Sequence, residues 1–566
     1  MIKIALRKTK TKAAQQLEAA GVVPLMARLL ATRGVTETKQ ISANLSNLLA
    51  PSTLTHNQEM AKLLADAILT NKKLLVIGDY DADGATATAV AVKGLRAFGA
   101  NVDFLVPNRF EYGYGLTPEI VALAATQQPD IIITVDNGIA SVDGVVAANA
   151  LGMQVLITDH HLPGLETPKA ACIVNPNQHG CDFASKHLAG VGVMFYCLLC
   201  LRAELRDRGL YVDIVEPNLT ELLDLVALGT VADLVKLDDN NRILVEQGLR
   251  RIRAGACSQG ILALLGVSGR QYQTVNAQDL GFYVGPRLNA AGRLDDMTLG
   301  IQCLLAESAT EAERIAKQLH ELNQQRRGIE ADMQDGANIS LDDIDVTNQF
   351  SISIYQADWH QGVIGILASR LKERFHRPVI AFAGAGNEVL KGSGRSIPSL
   401  HLRDALDLVS KYHPDLIIKF GGHAMAAGLS IKQVDFVRFK QSFESVVKSL
   451  ITEADLQAVL EVDGNLGAEN MTFQIAQALE NQVWGQGFAP PLFYDEFEVI
   501  NQRILAEKHL KLTLRTIAHS PSVMIDAIYF NQVDFLETHI QAAYQLQTNS
   551  YNGAQKVQLN LRYVGS

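Results

Sequence analysis

Short apolar runs alternate with alanine-rich segments between residues 73 and 175. The apolar runs occupy 74–77, 102–106, 131–135, 155–158 and 172–174. Segments 85–98 and 118–125 lie between them and have helical periodicity, and a helix is also predicted over 58–69. Strands and helices at this spacing predict a parallel sheet with helices packed on its faces.

Polar residues of the kind that bind ligands follow the predicted strands at the points where the strands end. Because the carboxyl ends of parallel strands lie at one edge of a sheet, these residues are expected to form one site. Asp233, which ends the apolar run 225–233, adds a further carboxylate. For Asp159 and Asp224, a structural role in capping a helix or turn stays equally open. The residues that follow the first four strands are Asp79, Asp81 and Asp83; Asn108 and Arg109; Asp136, Asn137 and Gly138; and Asp159, His160 and His161.

The three carboxylates at alternate positions after the first strand predict a divalent cation. Like charges this close raise one another's pKa, and hard oxygen ligands suit Mg²⁺ or Mn²⁺. The spacing also opens a calcium EF-hand loop, but the twelfth position, which needs Glu, is Val90, and a strand rather than a helix precedes the loop. A solvated acidic turn is the remaining alternative.

The rest of the chain predicts further domains. Ser308-Ala309-Thr310-Glu311 is a capping box that opens a long polar helix to about Met333, which we interpret as a connector between two lobes. A second α/β lobe follows, and then a β-rich segment in which strands 509–515 and 556–563 alternate around the turn signal Asn552-Gly553. The predicted divisions are 1–50 (a helical extension), 51–305, 306–340 (the connector), 341–452 and 453–566.

Several glycine-containing motifs predict contacts with phosphate or sugar, because glycine lets a backbone approach a ligand closely. Residues 285–293 are predicted to be a small-residue loop that carries Arg287 and Arg293, whose guanidinium groups suit phosphate; surface ion pairing is the alternative. In the second lobe the motifs surround His360, Lys391 to Ser396, and His423.

The β-rich tail predicts a small barrel, and the OB type would suit single-stranded nucleic acid. Its alternating strands place four basic residues on what we expect to be one exposed face. Ordinary solvated strand edges are the alternative for each of them. The four residues are Lys511, Arg515, Lys556 and Arg562.

Composition narrows the class of protein. A chain of 566 residues with 48% hydrophobic and 19% charged residues is expected to form several globular domains. The formal charge of −10 argues against indiscriminate nucleic-acid binding but allows a local basic groove. The longest uncharged run, Leu188 to Leu201, is too short to span a bilayer, and no signal core follows the basic start, so a cytoplasmic protein is expected. Cys197 and Cys200 lie in that run and are interpreted as core thiols.

Together these motifs resemble the DHH phosphoesterase superfamily. The residues that carry the resemblance are Gly78 to Gly84, Asp136-Asn137-Gly138, Asp159-His160-His161 and Gly421-Gly422-His423. Val106 to Glu111, the segment Gly285 to Arg293 and the β-rich tail narrow it to the RecJ branch of single-strand-specific 5′→3′ DNA exonucleases. The resemblance covers nearly the whole chain.

The resemblance implies a fold and an activity. The fold is a parallel-sheet DHH lobe joined by a long helix to a smaller α/β DHHA1 lobe, with a C-terminal OB-like domain and the substrate strand in the cleft between the lobes. The activity is two-metal hydrolysis of single-stranded DNA from its 5′ end, in repair and recombination. It also implies possible partnership with a single-strand-binding protein and a helicase, and none with a membrane.

The same resemblance assigns roles to residues. Two Mn²⁺ or Mg²⁺ ions share Asp136; Asp81 completes one site, and Asp83, His160 and Asp233 complete the other. Position 77 is Ile where many superfamily members have His, which leaves Asp79 or water to fill the first site. His161 is expected to touch the scissile phosphate. Arg109, Ser393 and Arg395 match positions that hold the 5′ phosphate, and further substrate contacts are expected from Tyr114, Arg287, Asn289, Arg293, His360 and His423.

Two other functions compete with this one. The first is a DHH-family phosphodiesterase that acts on short oligonucleotides or cyclic dinucleotides, against which the β-rich tail counts. The second is a non-catalytic scaffold that holds single strands. The intact set of carboxylates argues against a scaffold, because clustered charges are costly unless a cation uses them.

Overall fold

The computed structural model describes residues 2–108, 112, 115–342, 348–517, 522–551 and 554–565. Arg109, Tyr114 and the predicted turn Asn552-Gly553 lie outside the described residues. Backbone contacts divide the chain into two compact units. The smaller unit comprises Met1–Ala5 and Glu321–Leu460, and the larger unit comprises Leu6–His320 and Glu461–Ser566.

The sequence predicted a helical extension before Pro51, but this segment is not helical throughout. It begins with strand β1, because Ile4 and its neighbours pair with a later strand, and helices and 3₁₀ turns follow. Its elements are β1 (Lys3–Leu6), α1 (Thr11–Ala19) and α2 (Pro24–Thr32).

A five-stranded parallel sheet forms the centre of the larger unit, as predicted. The strand order is β3-β2-β4-β5-β6, and branched apolar residues occupy Leu74–Ile77 of β2 and all of β4 except Thr134. The elements are α3 (Asn57–Leu69), β2 (Lys73–Gly78), α4 (Ala82–Ala97), β3 (Asn101–Leu105), α5 (Pro118–Ala125), β4 (Ile131–Val135), α6 (Val142–Ala150), β5 (Gln154–Thr158) and β6 (Cys172–Val174).

Helices cover this sheet. Apolar residues surround helix α7 on nearly all sides, and its Cys197 and Cys200 are buried free thiols, which confirms their interpretation as core residues. The helices are α7 (Gly190–Asp207), α8 (Leu223–Ala232), α9 (Asp239–Arg253), α10 (Gln259–Val267), α11 (Ala277–Asp279), α12 (Gly285–Leu294) and α13 (Thr298–Leu305).

Residues 285–293, predicted to be a loop, form helix α12, so that prediction is wrong. Pro286 stands in the first turn, where its missing N–H costs nothing, and Leu, Ala and Arg, which favour helix, follow. A π-helical turn, Leu280–Val284, leads directly into α12.

The predicted connector is a single long helix, α14 (Ala309–Asp342), which the boundary between the two units divides. At its start the backbone N–H of Glu311 donates to Ser308 Oγ at 3.2 Å, as the capping signal predicted. The helix continues through Gly336 to Asp342, beyond Met333 where the sequence placed its end, and no proline interrupts this stretch.

The smaller unit contains a mixed sheet of order β10-β11-β9-β8-β7, in which only β7 and β8 are parallel among the paired strands. Phe382, Phe439 and Phe443 are fully buried between this sheet and helix α17. The elements are β7 (Ile352–Tyr355), α15 (Ile364–Phe375), β8 (Val379–Gly384), β9 (Val389–Arg395), α16 (Leu402–Tyr412), β10 (Lys419–Gly422), β11 (Ala426–Lys432) and α17 (Phe436–Leu450).

The β-rich tail closes into a five-stranded barrel of order β13-β14-β15-β17-β16, as predicted. Leu510, Leu512 and Leu514 alternate into its core. Within the described residues, no helix is long and apolar enough to cross a membrane. The elements are β12 (Val459–Val462), which pairs with β1, α18 (Phe473–Glu480), β13 (Phe493–Leu505), β14 (His509–Thr516), β15 (Met524–Tyr529), β16 (His539–Tyr551) and β17 (Ala554–Gly565).

Candidate active site

The parallel register brings the predicted ligands to one edge of the central sheet. Gly78, Val135 and Thr158 lie side by side at the ends of β2, β4 and β5. The next residues are Asp79, Asp136 and Asp159. Asp136 has a φ of 63°, a left-handed conformation that Asp tolerates better than most residues.

His160 lies between the carboxylates of Asp83, Asp136 and Asp233. Its Nε2 atom is 3.1 Å from Asp136 Oδ1, 3.5 Å from Asp233 Oδ2 and 4.0 Å from Asp83 Oδ2. Asp79, Asp81 and Asp136 form a second group, whose oxygens lie within 4.8 Å of one another. Asp136 therefore belongs to both groups, at the point where they meet.

Without a cation, this cluster favours protonated carboxyl groups. Burial and the neighbouring Asp81 raise the pKa of Asp83 to about 7. Burial and the charge of Asp83 also raise the pKa of both Asp136 and Asp233 well above the ordinary value. A divalent cation would remove this cost by neutralising the carboxylates.

The donor set and its spacing fit Mg²⁺ or Mn²⁺. Ligands about 2.1 Å from an octahedral ion lie roughly 3.0 Å apart when adjacent and about 4.2 Å apart when opposite. The distances around His160 Nε2, from 3.1 to 4.0 Å, fall in this range. Asp136 Oδ1 is also buried and accepts no hydrogen bond from the described residues, which suits an oxygen that binds a metal.

Backbone amides at the start of α7 hold Asp83 in place. Gly190 N–H donates to Asp83 Oδ2 at 2.6 Å, and Val191 N–H donates to Oδ1 at 3.0 Å. A Cβ on Gly190 would lie 2.6 Å from Asp136 Oδ1, so only glycine fits there. Gly190 was not among the residues predicted from the sequence, although a glycine inside an otherwise apolar run was an available signal.

Asp159 orients the two histidines rather than joining the carboxylate groups. Its Oδ1 accepts from the backbone N–H of His160 at 2.7 Å and lies 2.8 Å from His161 Nδ1, while its Oδ2 accepts from Ile139 N–H at 2.9 Å. Burial raises the pKa of Asp159, but the hydrogen bonds from His161 and Ile139 and the charges of both histidines together outweigh burial and lower this pKa. Burial alone would lower the pKa of His161, but the hydrogen bond to Asp159 and the negative charge of that carboxylate outweigh burial and raise this pKa to about 9.

Asp224 has a structural role. Its Oδ2 atom accepts from the backbone N–H of Ser258 at 2.7 Å, at the start of α10. It lies in none of the ligand groups found among the described residues.

Helix α12 supports the loop that carries Asp79 and Asp81. Asn289 Oδ1 accepts from the backbone N–H of Ala82 at 2.8 Å. A Cβ on Gly292 would lie 1.8 Å from the carbonyl oxygen of Tyr80, so the helix and the loop are in close contact. Arg287 is buried and donates to the backbone carbonyl of Tyr283 and to His320, whereas Arg293 is half-buried in the last turn.

The smaller unit holds a second polar group. Arg395 Nη1 donates to Ser393 Oγ at 3.3 Å and to the carbonyl oxygen of Gly394 at 2.8 Å, and no carboxylate of the described residues forms an ion pair with it. Burial lowers the pKa of Arg395. A Cβ on Gly365, at the start of α15, would lie 2.9 Å from Ser393 Oγ and 3.1 Å from Arg395 Nη2.

The two remaining predicted residues of this unit lie in turns. His360 precedes α15, and its Nδ1 accepts from the backbone N–H of Gly362 at 3.1 Å. His423 is exposed between β10 and β11. Its backbone N–H donates to the carbonyl oxygen of Ala426, the residue that pairs with Arg395.

On the barrel, two of the four predicted basic residues form ion pairs with carboxylates. Lys511 Nζ lies 3.3 Å from Asp526, and Arg515 forms an ion pair with Glu498. Arg562 donates to Gln545, and Lys556 is exposed.

Family models match three parts of the chain. The DHH family N-terminal domain matches residues 73–230, the DHHA1 domain matches 347–453, and the RecJ OB domain matches 462–563.

Similar proteins extend over almost the whole chain. It is 48% identical to the single-stranded-DNA-specific exonuclease RecJ of Salmonella typhimurium, over 95% of each chain, and 47% identical to that of Escherichia coli, again over 95% of each chain. A crystal structure of RecJ from Thermus thermophilus in complex with Mn²⁺ matches with a TM-score of 0.82 and 28% identity, over 100% of this chain and 79% of the other. The same protein in complex with Mg²⁺ matches with a TM-score of 0.77 and 27% identity, over 100% and 78%. The resemblance in the motifs is thus confirmed, and the chain belongs to the RecJ family of single-stranded-DNA-specific exonucleases.

Proposed function

We propose that this protein is a metal-dependent exonuclease that hydrolyses single-stranded DNA from the 5′ end. The observation that carries the proposal is the cluster of Asp83, Asp136, His160 and Asp233, a fitting site for a divalent cation in a member of the RecJ family. Relatives of known structure were crystallised with Mn²⁺ and with Mg²⁺.

Two cations would divide the ligands between them. Asp79, Asp81 and Asp136 would hold one, and Asp83, Asp136, His160 and Asp233 would hold the other; Asp79 compensates for Ile77, which offers no ligand. When bound, such a pair supplies an activated water and neutralises charge on the phosphate.

Residues of the chain itself would position the phosphodiester. Asp159 raises the pKa of His161 to about 9 and fixes the orientation of its ring, so the protonated imidazole can donate to a phosphate oxygen. The same bond holds the backbone of His160, which keeps the metal ligand and the phosphate-binding side chain in a fixed relation.

Arg395 and Ser393 would bind a terminal 5′ phosphate. A half-buried guanidinium whose partners are neutral has charge available for an anion, and Gly365 leaves room beside it. Arg109, which lies outside the described residues, stays a predicted contributor. Arg287 would influence the substrate indirectly, because its guanidinium group donates to Tyr283 and His320. The other predicted substrate contacts stay predictions: Tyr114, Asn289, Arg293, His360 and His423.

The barrel would bind the more distant part of a long DNA strand. Its match to the RecJ OB domain supports this role, and the exposed Lys556 and Arg562 supply positive charge. The domain divisions at 50, 305, 340 and 452 stay predictions. We further propose action in the cytoplasm in DNA repair and recombination, with a helicase that supplies single strands and a single-strand-binding protein that holds them.

The decisive experiment is a nuclease assay on single strands labelled at either end, with Mn²⁺ or with chelator. We expect release of 5′-terminal mononucleotides that requires the metal, and its loss in Asp81→Ala and His160→Ala. Release from the 3′ end, or full activity in excess chelator, would refute the proposal. Hydrolysis of dinucleotides or cyclic dinucleotides without action on long strands would favour the small-substrate phosphodiesterase.

A further inference from the structure

Leu234, which directly follows Asp233, combines two unfavourable features. Its side chain is 68% exposed, and its backbone has a φ of 60°. Helices often end on a residue in this left-handed conformation, but glycine or asparagine normally occupies the position. Since stability alone would favour either of those, the leucine points to a function.

Phe282 belongs to a helical turn that packs against the end of α8. It is 75% exposed on the π-helical turn Leu280–Val284, a type of turn that is frequent at functional sites. Its neighbour Gly281 packs on α8, since a Cβ there would lie 3.2 Å from Val231 Cγ1. Four residues after Gly281, Gly285 packs on Ala232, just before Asp233.

Leu162 provides a third exposed apolar side chain next to the ligands. It is 61% exposed and directly follows His161. The two sides are close, because His160 Nε2 lies 3.5 Å from Asp233 Oδ2. We call Leu162, Leu234 and Phe282 the apolar rim.

We propose that the apolar rim packs against unpaired bases of the DNA strand whose phosphate is at the metal cluster. The proposal rests on the proposed nuclease function and adds to it a physical source of single-strand selectivity. Large apolar side chains insert between base steps or stack on base faces, and this contact does not depend on sequence. In a duplex the base faces are already stacked, so the same contact would first require a base step to be unstacked, which costs free energy.

The experiment compares Leu234→Asn and Phe282→Ala with the wild-type protein on a 5′-phosphorylated single strand. Asparagine tolerates the left-handed backbone, so Asp233 should keep its position. We expect KM to rise by about five- to a hundredfold, the effect of losing one base contact, with kcat at saturation nearly unchanged. Leu234→Met and Phe282→Tyr should restore KM.

Strands with a single abasic residue at successive positions supply a readout that a purely structural role would not change. At the contacted position the wild type should lose affinity and the variants should not, so the difference between them disappears there. Val212→Asn, in another exposed loop, is the matched control and should change nothing. A Mn²⁺-induced rise in melting temperature equal to that of wild type will show that each variant is folded with an intact metal cluster.

Three outcomes would overturn the apolar rim: unchanged KM in both variants, an equal loss on abasic and normal strands, or unchanged strand affinity combined with the loss of binding to another protein. A wild-type protein that does not hydrolyse single strands would refute the proposed function instead. The two failures are therefore distinguishable.

Discussion

Asp136→Asn should stabilise the metal-free protein although it abolishes the proposed chemistry. Asp136 is buried within 4.8 Å of the carboxylates of Asp79 and Asp81. Asparagine has almost the same shape, accepts the observed φ of 63° and removes one negative charge from the cluster. The substitution therefore relieves repulsion without opening a cavity.

The magnitude follows from the distances. Two unit charges 4.8 Å apart repel by about 3.5 kcal/mol at an effective dielectric constant of 20. Partial protonation of the cluster relieves much of this, so we expect a net gain of about 1–3 kcal/mol at pH 8. With an unfolding entropy of about 2.1 cal/mol/K per residue and a unit of roughly 400 residues, the melting temperature should rise by about 1–4 °C.

The sign of the pH dependence is also determined. Between the unfolded pKa of about 4 and the raised folded pKa values, about 7 for Asp83, the folded state binds more protons than the unfolded state. The stability of the metal-free wild type should therefore fall as pH rises through this window. The fall should be shallower in Asp136→Asn, where one of the raised groups is absent.

Scanning calorimetry with chelator and then with excess Mn²⁺ is the assay. We expect the order of melting temperatures to invert: the variant melts higher without metal, and the wild type melts higher with it, since binding at a thousandfold excess over Kd adds about 4.1 kcal/mol, more than the variant gains. Asp182→Asn, at an exposed position, is the control and should match wild type in both. A metal-free Asp136→Asn protein that melts below wild type would refute the reasoning.

Three further predictions concern the positioning of His161, the proposed phosphate-binding group in the smaller unit and a buried ion pair away from the site. Asp159→Asn should lower the pKa of His161 in an NMR titration, because the carboxylate that raises it is gone, and should lower kcat by about ten- to a hundredfold; an unchanged His161 titration would contradict this. Arg395→Ala should remove the preference for 5′-phosphorylated over 5′-hydroxyl strands, by about ten- to a hundredfold in kcat/KM; Arg403→Ala, at an exposed position, should retain it. Arg33→Ala should lower the free energy of unfolding in urea by about 3–5 kcal/mol, because it leaves the buried carboxylate of Asp463 without the guanidinium that binds both of its oxygens at 2.9 Å; a loss below about 1 kcal/mol would show that Asp463 is stable without it.

The sequence by itself determined the central sheet and the carboxylates and histidines that gather at its edge. Strands such as Ile131–Val135 are buried on both faces, so an uninterrupted apolar run is visible without any structure. The ligands follow such runs directly, and parallel strands place their carboxyl ends together. The alternating pattern of residues 509–515 likewise predicted a strand with one face in a barrel core, because alternation is a local property.

Tertiary structure alone decided how those ligands are held. The amides of Gly190 and Val191 reach Asp83 from more than a hundred residues away, and Asn289 reaches Ala82 from over two hundred. The role of Asp159 depended on which hydrogen-bond donors folding brought to its carboxylate. Three backbone amides and one imidazole surround it, so it orients His161. A local pattern records the propensity and burial of one segment. The partner of a buried polar atom is chosen by the packing of distant segments, so it can be identified only when the fold is known.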